Sequence, residues 1–218
     1  MKQLLILGDS VCHGLETATD HKSEANTQHA FGYHIAKHLN LEYVNLAEPG
    51  SSIIRAMQVG QQYINRFRAE IGMIIIGWTH SHRIDYHATD TSLMINSRFM
   101  YLGDQNAENT HVMNKNNVRF VTDDNHKHHA SVLPDIHQIL VSNDFFKSQS
   151  EVAEMMIPCY CAWLNSINVN FYDFDIFGTL HTHKTKLGIT FGDVMTNTQQ
   201  HPDRAEHQAF AELIKDKL

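Results

Sequence analysis

The chain alternates between short, continuous apolar runs and longer stretches whose apolar residues recur on a helical period. Residues 4–7 and 73–76 are continuous apolar runs, and each is followed by a glycine. Such runs are typical of strands that are buried on both faces of a parallel sheet. Residues 41–46 and 169–174 are predicted to form two further strands.

The stretches between these runs predict helices. They indicate one helix over residues 27–40, one that starts at Ser51 or Ser52, one over residues 151–168, and one at the C-terminus. The apolar positions that mark them are Phe31, Ile35 and Leu39; Ile53, Met57, Ile64 and Phe67; Val152, Met155, Met156, Trp163 and Leu164; and Ala209, Phe210, Leu213 and Ile214. Pro158 is expected to kink the third helix or to shift its start. Because strands and helices alternate, the pattern predicts an α/β domain with a parallel sheet.

Residues 78–150 have no sustained period and are rich in Asn, Asp and His. This segment is too long for an ordinary connection, so we interpret it as an insertion after the third strand of a single domain that spans residues 1–218. Long loops in compact domains commonly shape binding sites. We therefore expect the insertion to lie over the functional edge of the sheet, where its polarity favours a polar substrate.

Charge and cysteine content exclude several classes of function. The formal net charge is −7 and there is no basic stripe, which argues against a nucleic-acid partner. No apolar run approaches the roughly 20 residues that cross a bilayer, and a signal-peptide pattern is absent, so we expect a cytoplasmic protein without a membrane partner. The three cysteines, Cys12, Cys159 and Cys161, give no disulfide framework and no recognised metal-binding spacing.

The 17 histidines include three His-x-His pairs, which are His80/His82, His126/His128 and His181/His183. On a strand, two residues separated by one share a face, so each pair offers two metal ligands. None of the pairs has a cysteine or a carboxylate at a recognised ligand spacing. We therefore expect no metal and no other cofactor, and a metal-dependent hydrolase is the least favoured function.

Three residues, Ser10, Gly50 and Thr79, follow predicted strands. Because the carboxyl ends of parallel strands meet at one edge of the sheet, these residues are expected to be neighbours. Pro202 favours the first position of the last helix, which would bring His201 to the same edge at the helix cap. A serine and a histidine in contact can act as nucleophile and general base, and backbone N–H groups at Ser10 and Gly50 would stabilise an oxyanion.

These residues belong to motifs whose order resembles that of the GDSL or SGNH hydrolases, a family of esterases and lipases. The motifs are Gly8-Asp9-Ser10 after the first strand, Asn45-x-Ala47-x-x-Gly50 after the second, and His201-Pro202 with His207 before the last helix. The resemblance implies a three-layer, flavodoxin-like α/β/α fold. It also implies that Ser10 is the nucleophile, Gly50 an oxyanion donor and His201 the base.

The chain departs from the family pattern at two positions. The third family motif has Asn two residues after a glycine, where this sequence has Thr79, whose hydroxyl would donate one hydrogen bond to the oxyanion. The family has Asp three residues before the histidine, where this sequence has Thr198. We expect a backbone carbonyl or Thr198 to orient His201, with Asp193 as the less favoured alternative. His13, close to the nucleophile in the chain, is the second candidate for the base.

Three functions are compatible with these observations. The leading hypothesis is a serine esterase that hydrolyses a small acyl or acetyl ester, with an acylated carbohydrate among the candidate substrates. The second is a binding or structural protein that keeps the fold without the family's Asn and Asp. The third is a metal-dependent hydrolase or a metal-binding protein that uses the His-x-His pairs. Ser10, Gly50 and His201 follow one another in the order of the motifs that the sequence resembles, which favours the esterase.

Overall fold

The computed structural model describes residues 1–15, 17–18, 24–81, 84–86, 98–102, 118–121, 143–196 and 201–218. The strands are β1 (Gln3–Leu7), β2 (Glu42–Asn45), β3 (Ile71–Trp78), β4 (Ile84–Tyr86), β5 (Arg98–Leu102), β6 (Val118–Val121) and β7 (Phe171–Asp175). The α-helices are α1 (Ser10–His13), α2 (Phe31–Leu39), α3 (Ile53–Phe67), α4 (Asn143–Ser166) and α5 (Arg204–Lys215), and 3-10 helices cover Glu24–His29 and Phe191–Asp193.

The main sheet has the strand order β2-β1-β3-β7, and all neighbouring strands are parallel. β1 is central, with Leu5 paired to Val44 on one side and to Ile74 on the other. Every residue of β1 is buried, which explains why its sequence is continuously apolar after Gln3. The predicted α/β fold with a central parallel sheet is confirmed.

Successive residues of β1 point to opposite faces of the sheet and contribute to two cores. Leu4 and Ile6 pack in one core, and Leu5 and Leu7 pack in the other. The first core includes Phe31, Ile35, Phe210 and Ile214 from α2 and α5; the second includes Ile53, Met57, Ile64, Ile157 and Leu164 from α3 and α4. Helices therefore cover both faces of the sheet, which gives the three layers that were predicted.

A second sheet lies within the segment predicted as an insertion. β4, β5 and β6 are antiparallel in that order, with Phe99 paired to Asp85 and to Val121. Most of residues 78–150 lies outside the described residues, so the expected position of the insertion over the functional edge stays a prediction.

The helix predicted over residues 151–168 has different limits. α4 begins at Asn143 and continues through Pro158 to Ser166, so the predicted start was wrong. A helix that is already nucleated and packed along part of its length can extend into residues that carry no apolar period. Each added residue gains one backbone hydrogen bond, and the cost of nucleation is not incurred again. Within the part of the chain that the structure describes, no helix is both long and apolar enough to cross a membrane.

A side chain from the last helix caps the N-terminus of α2. Ala30 occupies the cap position without a side-chain hydrogen bond, and the Phe31 N–H donates instead to Nδ1 of His207 over 3.3 Å. His207 is fully buried and lies parallel to the Phe31 ring. Because Nδ1 accepts this hydrogen bond, Nε2 carries the imidazole hydrogen. Burial, with the nearby His34, lowers the pKa of His207 to about 3.

We expect this buried histidine to destabilise the protein in acid. Its folded-state pKa of about 3 lies below the ordinary value of 6.5, so the unfolded chain takes up the proton first as the pH falls. The contribution of His207 to the free energy of unfolding should therefore fall by about 3 kcal/mol between about pH 7 and pH 4. Urea unfolding at both pH values should show that His207→Gln loses less unfolding free energy on acidification than wild type does, since the two proteins share all other titrating groups. Equal losses in the two proteins would contradict this assignment.

Two glycines leave room for Cys12 where β1 and β3 end. Gly8 has a φ of 149°, and a Cβ there would lie 2.8 Å from Cys12 Cβ and 3.0 Å from the Gly77 carbonyl oxygen. A Cβ on Gly77 would meet the Cys12 sulfur and the ring of Phe174. Both the backbone conformation and the packing at Gly8 therefore require glycine.

Gly8→Ala should destabilise the protein by about 2 to 4 kcal/mol, because backbone strain and overpacking add at this position. Gly188→Ala is the matched control: its φ is 59°, and a Cβ there would have no atom within 4 Å. The control should lose only about 1 kcal/mol of unfolding free energy, which is the cost of placing alanine in the left-handed backbone conformation. Urea unfolding of the two variants measures the difference, and equal losses would rule out the packing contribution.

Candidate active site

Ser10 begins α1 directly after the turn that ends β1. Asp9 is the N-cap of this helix, and its Oδ1 accepts the Val11 N–H at 2.9 Å. Gly14 ends the helix in the left-handed conformation, with a φ of 81°. Because first-turn N–H groups have no acceptor within their own helix, helical bonding does not occupy the Ser10 N–H.

The Asp9 carboxylate also joins β1 to β3. Thr79, the first residue after β3, donates its hydroxyl hydrogen to Asp9 Oδ2 at 2.8 Å, and both side chains are buried. Thr79 therefore lies beside the turn that carries Ser10, as the parallel sheet predicts. Its hydroxyl hydrogen is directed at Asp9, so the expected donation from Thr79 to an oxyanion stays a prediction that requires a change of hydrogen-bond partner.

The loop after β2 contacts the turn after β1 through its backbone. The Glu48 N–H donates to the Gly8 carbonyl at 3.2 Å. The Ser51 N–H donates to the Glu48 carbonyl at 3.0 Å, and Gly50 has a φ of 79°. With Pro49 before Gly50, this is the pattern of a type II turn. The hydrogen bond that closes such a turn does not involve the Gly50 N–H.

Asn45 attaches the same loop to α1. Its Oδ1 accepts the Ala47 N–H at 3.0 Å, while its Nδ2 donates to the Cys12 carbonyl at 3.1 Å and to the Tyr43 hydroxyl at 2.7 Å. Both ends of the amide are used, which makes this side chain a specific link between the second loop and the helix of the candidate nucleophile.

His201 reaches Ser10 from the opposite end of the chain. Its Nε2 lies 3.0 Å from Ser10 Oγ, which is within the distance expected of a nucleophile and its general base. A neutral imidazole with its hydrogen on Nδ1 would accept the Ser10 hydroxyl hydrogen at Nε2. The structure therefore brings together the two residues that the sequence singles out for catalysis.

The helix that follows His201 starts later than predicted. Asp203 is the N-cap and accepts the Glu206 N–H at 2.9 Å, so α5 begins at Arg204. Pro202 precedes the cap, and the predicted places of Pro202 in the first helical position and of His201 at the cap were wrong. The reason is that the short Asp203 carboxylate satisfies first-turn N–H groups better than an imidazole does.

Glu206 holds both sides of the segment that carries His201. Its Oε2 accepts the Asp203 N–H at 2.9 Å, and its Oε1 accepts the Thr196 N–H at 2.6 Å and the Thr196 hydroxyl at 3.1 Å. The side chain is buried, so these charge-assisted bonds act in a low dielectric. Sequence reasoning missed this residue, although Asp203-x-x-Glu206 has the spacing of a capping box.

The other candidate residues have different places. Thr198 lies outside the described residues. Asp193 is exposed, and its Oδ2 accepts the Thr190 N–H at 2.7 Å in the capping box of a 3-10 helix. His13 is the last residue of α1, where burial lowers its pKa. The roles suggested for these three residues stay predictions.

No family model and no curated protein matches the sequence. Solved structures that are similar to this chain include a G-D-S-L family lipolytic protein from Desulfitobacterium hafniense, at 10% identity and a TM-score of 0.39, with 100% of each chain covered. A psychrotrophic esterase from Pseudoalteromonas sp. is 9% identical with a TM-score of 0.40, over 100% of this chain and 96% of its own.

An acetyl xylan esterase from Butyrivibrio proteoclasticus is 12% identical with a TM-score of 0.41, over 99% of this chain and 63% of its own. At TM-scores of 0.39 to 0.41 the likeness does not carry an activity over to this chain.

Glu206→Gln should weaken the positioning of His201. A carboxylate accepts at both oxygens, whereas an amide must turn its NH2 group towards either Thr196 or Asp203, each of which presents a donor. We expect the free energy of unfolding, measured in urea, to fall by about 1 to 3 kcal/mol. We also expect a fluorophosphonate to label Ser10 more slowly. Glu212→Gln on the same helix is the control, since Glu212 is exposed and forms a surface salt bridge with Lys215. Identical labelling rates in both variants would contradict a positioning role for Glu206.

Proposed function

We propose that this protein is a serine esterase in which Ser10 is the nucleophile and His201 is the general base. The observation that carries the proposal is the 3.0 Å contact between Ser10 Oγ and His201 Nε2. Support comes from the three strand ends, because Asp9, Thr79 and Glu48 tie the loops after β1, β2 and β3 into one edge.

The proposed reaction has two halves. In the first, Ser10 Oγ attacks the ester carbonyl carbon while His201 Nε2 accepts the hydroxyl proton. His201 then gives this proton to the departing alcohol, and an acyl-enzyme remains on Ser10. In the second, a water molecule attacks the acyl carbon with His201 again as base, and the carboxylic acid leaves as Ser10 recovers its proton.

The negative charge on the carbonyl oxygen needs hydrogen-bond donors during both attacks. The N–H groups of Ser10 and Gly50 are the proposed donors, since the helix α1 and the type II turn do not use them for their own bonds. Thr79 would add a third donor only by releasing Asp9. We therefore assign the main role to the two backbone groups, which are pre-oriented by their loops.

The proposed substrate is a small acyl or acetyl ester, with an acylated carbohydrate among the candidates. Support for this comes from the resemblance of the motifs and from the polarity of residues 78–150. The second candidate function is that of a binding protein with little catalysis. It is favoured by Asp193, whose carboxylate is occupied by the Thr190 N–H, and by Thr198, which stands where the family has its acid.

Hydrolysis of a simple aryl acetate should be abolished by Ser10→Ala and by His201→Ala. Removing the acid of a triad costs less than removing its nucleophile or its base, so a serine–histidine pair without an acid can still react. Asp193→Asn should accordingly change the rate by less than about tenfold. Release of the aryl alcohol, followed by absorbance, and labelling by a fluorophosphonate probe are the two measurements.

His13→Ala is the control that separates the two histidines. It should retain labelling and hydrolysis, because His201 is the residue in contact with Ser10. Loss of activity in His13→Ala with activity retained in His201→Ala would transfer the role of base to His13. A wild-type protein that neither hydrolyses the ester nor reacts with the probe would favour the binding function.

A further inference from the structure

Three potential metal ligands of different types meet on the α4 side of the sheet. Cys161 comes from α4, Asp173 from β7, and His183 from the loop that follows β7, and their ligand atoms all lie within 4.8 Å of one another. His183 Nε2 is 2.6 Å from Asp173 Oδ2, and Cys161 Sγ is 3.9 Å from the same oxygen. Among the described residues no other group of this kind was found.

The carboxylate at the centre of this cluster is already oriented by other donors. Asp173 is fully buried. The Trp78 indole N–H donates to its Oδ2 at 2.8 Å, and the Lys186 N–H donates to its Oδ1 at 2.8 Å. An Oδ2 atom has two lone pairs, so it can accept from Trp78 and still bind a cation. Such outer hydrogen bonds are the usual support of a metal-binding carboxylate.

From this geometry we infer that Cys161, Asp173 and His183 form a binding site for a Zn²⁺-like divalent cation. Thiolate, carboxylate and imidazole are all ligands that Zn²⁺ takes in proteins. Tetrahedral zinc places its ligand atoms roughly 3.3 to 3.7 Å apart, so the sulfur must move inwards and the imidazole nitrogen outwards by about 1 Å or less. A water molecule would complete the coordination beside His183, whose side chain is 13% exposed.

Charge balance supports a divalent cation here. The metal-free cluster holds the fully buried carboxylate of Asp173 next to the Cys161 thiol. A thiolate and a carboxylate together carry two negative charges, which a divalent cation neutralises. On binding, the Cys161 thiol loses its proton to solvent, and the hydrogen of a neutral His183 moves from Nε2 to Nδ1. One proton is therefore released for each ion bound.

The site is independent of the proposed esterase and has a structural role. Trp78 and Thr79 are consecutive, and Trp78 contacts Asp173 whereas Thr79 contacts Asp9 beside Ser10. A metal at Asp173 would bind the loop after β7 and α4 to the sheet, and would leave the serine and its histidine untouched. The sequence disfavoured a metal because no His-x-His pair has a cysteine or a carboxylate at a recognised ligand spacing. The cluster instead takes one member from each of the pairs Cys159/Cys161 and His181/His183.

The test is a titration of the full-length, metal-stripped protein with Co²⁺ and Zn²⁺. Co²⁺ should give a thiolate-to-metal charge-transfer absorption at a stoichiometry of one, and Zn²⁺ should abolish it by displacement. The Tm should rise by about 5 °C or more once free Zn²⁺ exceeds its Kd about 100-fold. Cys161→Ser and His183→Gln should each remove both signals.

Neighbouring residues provide matched controls. Cys159→Ser changes an exposed thiol on the same helix, and His181→Gln changes an exposed imidazole of the same pair, so both should keep the absorption and the shift in Tm. Folding of each variant is checked by circular dichroism in the absence of metal. The proposal is overturned if wild type shows no charge-transfer band, or if Cys161→Ser retains it. A Zn²⁺-induced rise in Tm that survives in His183→Gln would assign binding to other histidines.

Discussion

The candidate site depends on the buried carboxylate of Asp9. One oxygen caps the helix that begins at Ser10, and the other accepts the hydroxyl hydrogen of Thr79 at the end of β3. A buried carboxylate must be satisfied by donors, because an unpaired charge in the protein interior is strongly unfavourable. The need to satisfy Asp9 therefore fixes the relative positions of the turn after β1 and the end of β3.

Two more buried carboxylates act in the same way elsewhere in the fold. Glu206 accepts hydrogen bonds from Thr196 and Asp203, which lie on either side of His201 in the chain. Asp173 accepts hydrogen bonds from Trp78 at the end of β3 and from Lys186 in the loop after β7. Each connects segments that are not covalent neighbours. Hydrogen bonds to charged groups contribute about 1.5 to 3 kcal/mol each, which is enough to select one loop conformation among several.

Two positions depart from the hydrolase motifs that the sequence resembles. Thr79 replaces an amide donor with a hydroxyl, and that hydroxyl is directed at Asp9 instead of at the space above Ser10. Thr198 replaces a carboxylate, and the nearest upstream acid, Asp193, caps its own 3-10 helix. In the proposed mechanism, charge stabilisation therefore rests on the backbone N–H groups of Ser10 and Gly50, whose positions depend on the fold.

The sequence by itself determined the layered architecture. Continuous apolar runs in β1 and β3, with helical periods between them, predicted the parallel sheet, since burial on both faces leaves no polar position in a central strand. The position of Ser10 after β1 and of Gly50 after β2 followed, because parallel strands end at one edge. The limits of α4 and α5 did not follow, since helix ends depend on capping and packing more than on periodicity.

Only the tertiary structure decided which polar groups meet. His207 belongs to a family-like motif, yet it caps α2 through the Phe31 N–H, a contact that no local pattern indicates. Likewise, Cys161 and His183 meet at Asp173, although no ligand spacing in the sequence connects these three residues. The physical reason is that apolar burial is non-directional and survives in a one-dimensional pattern, whereas a hydrogen bond requires two atoms at about 3 Å. That distance between residues remote in sequence exists only once the chain has folded.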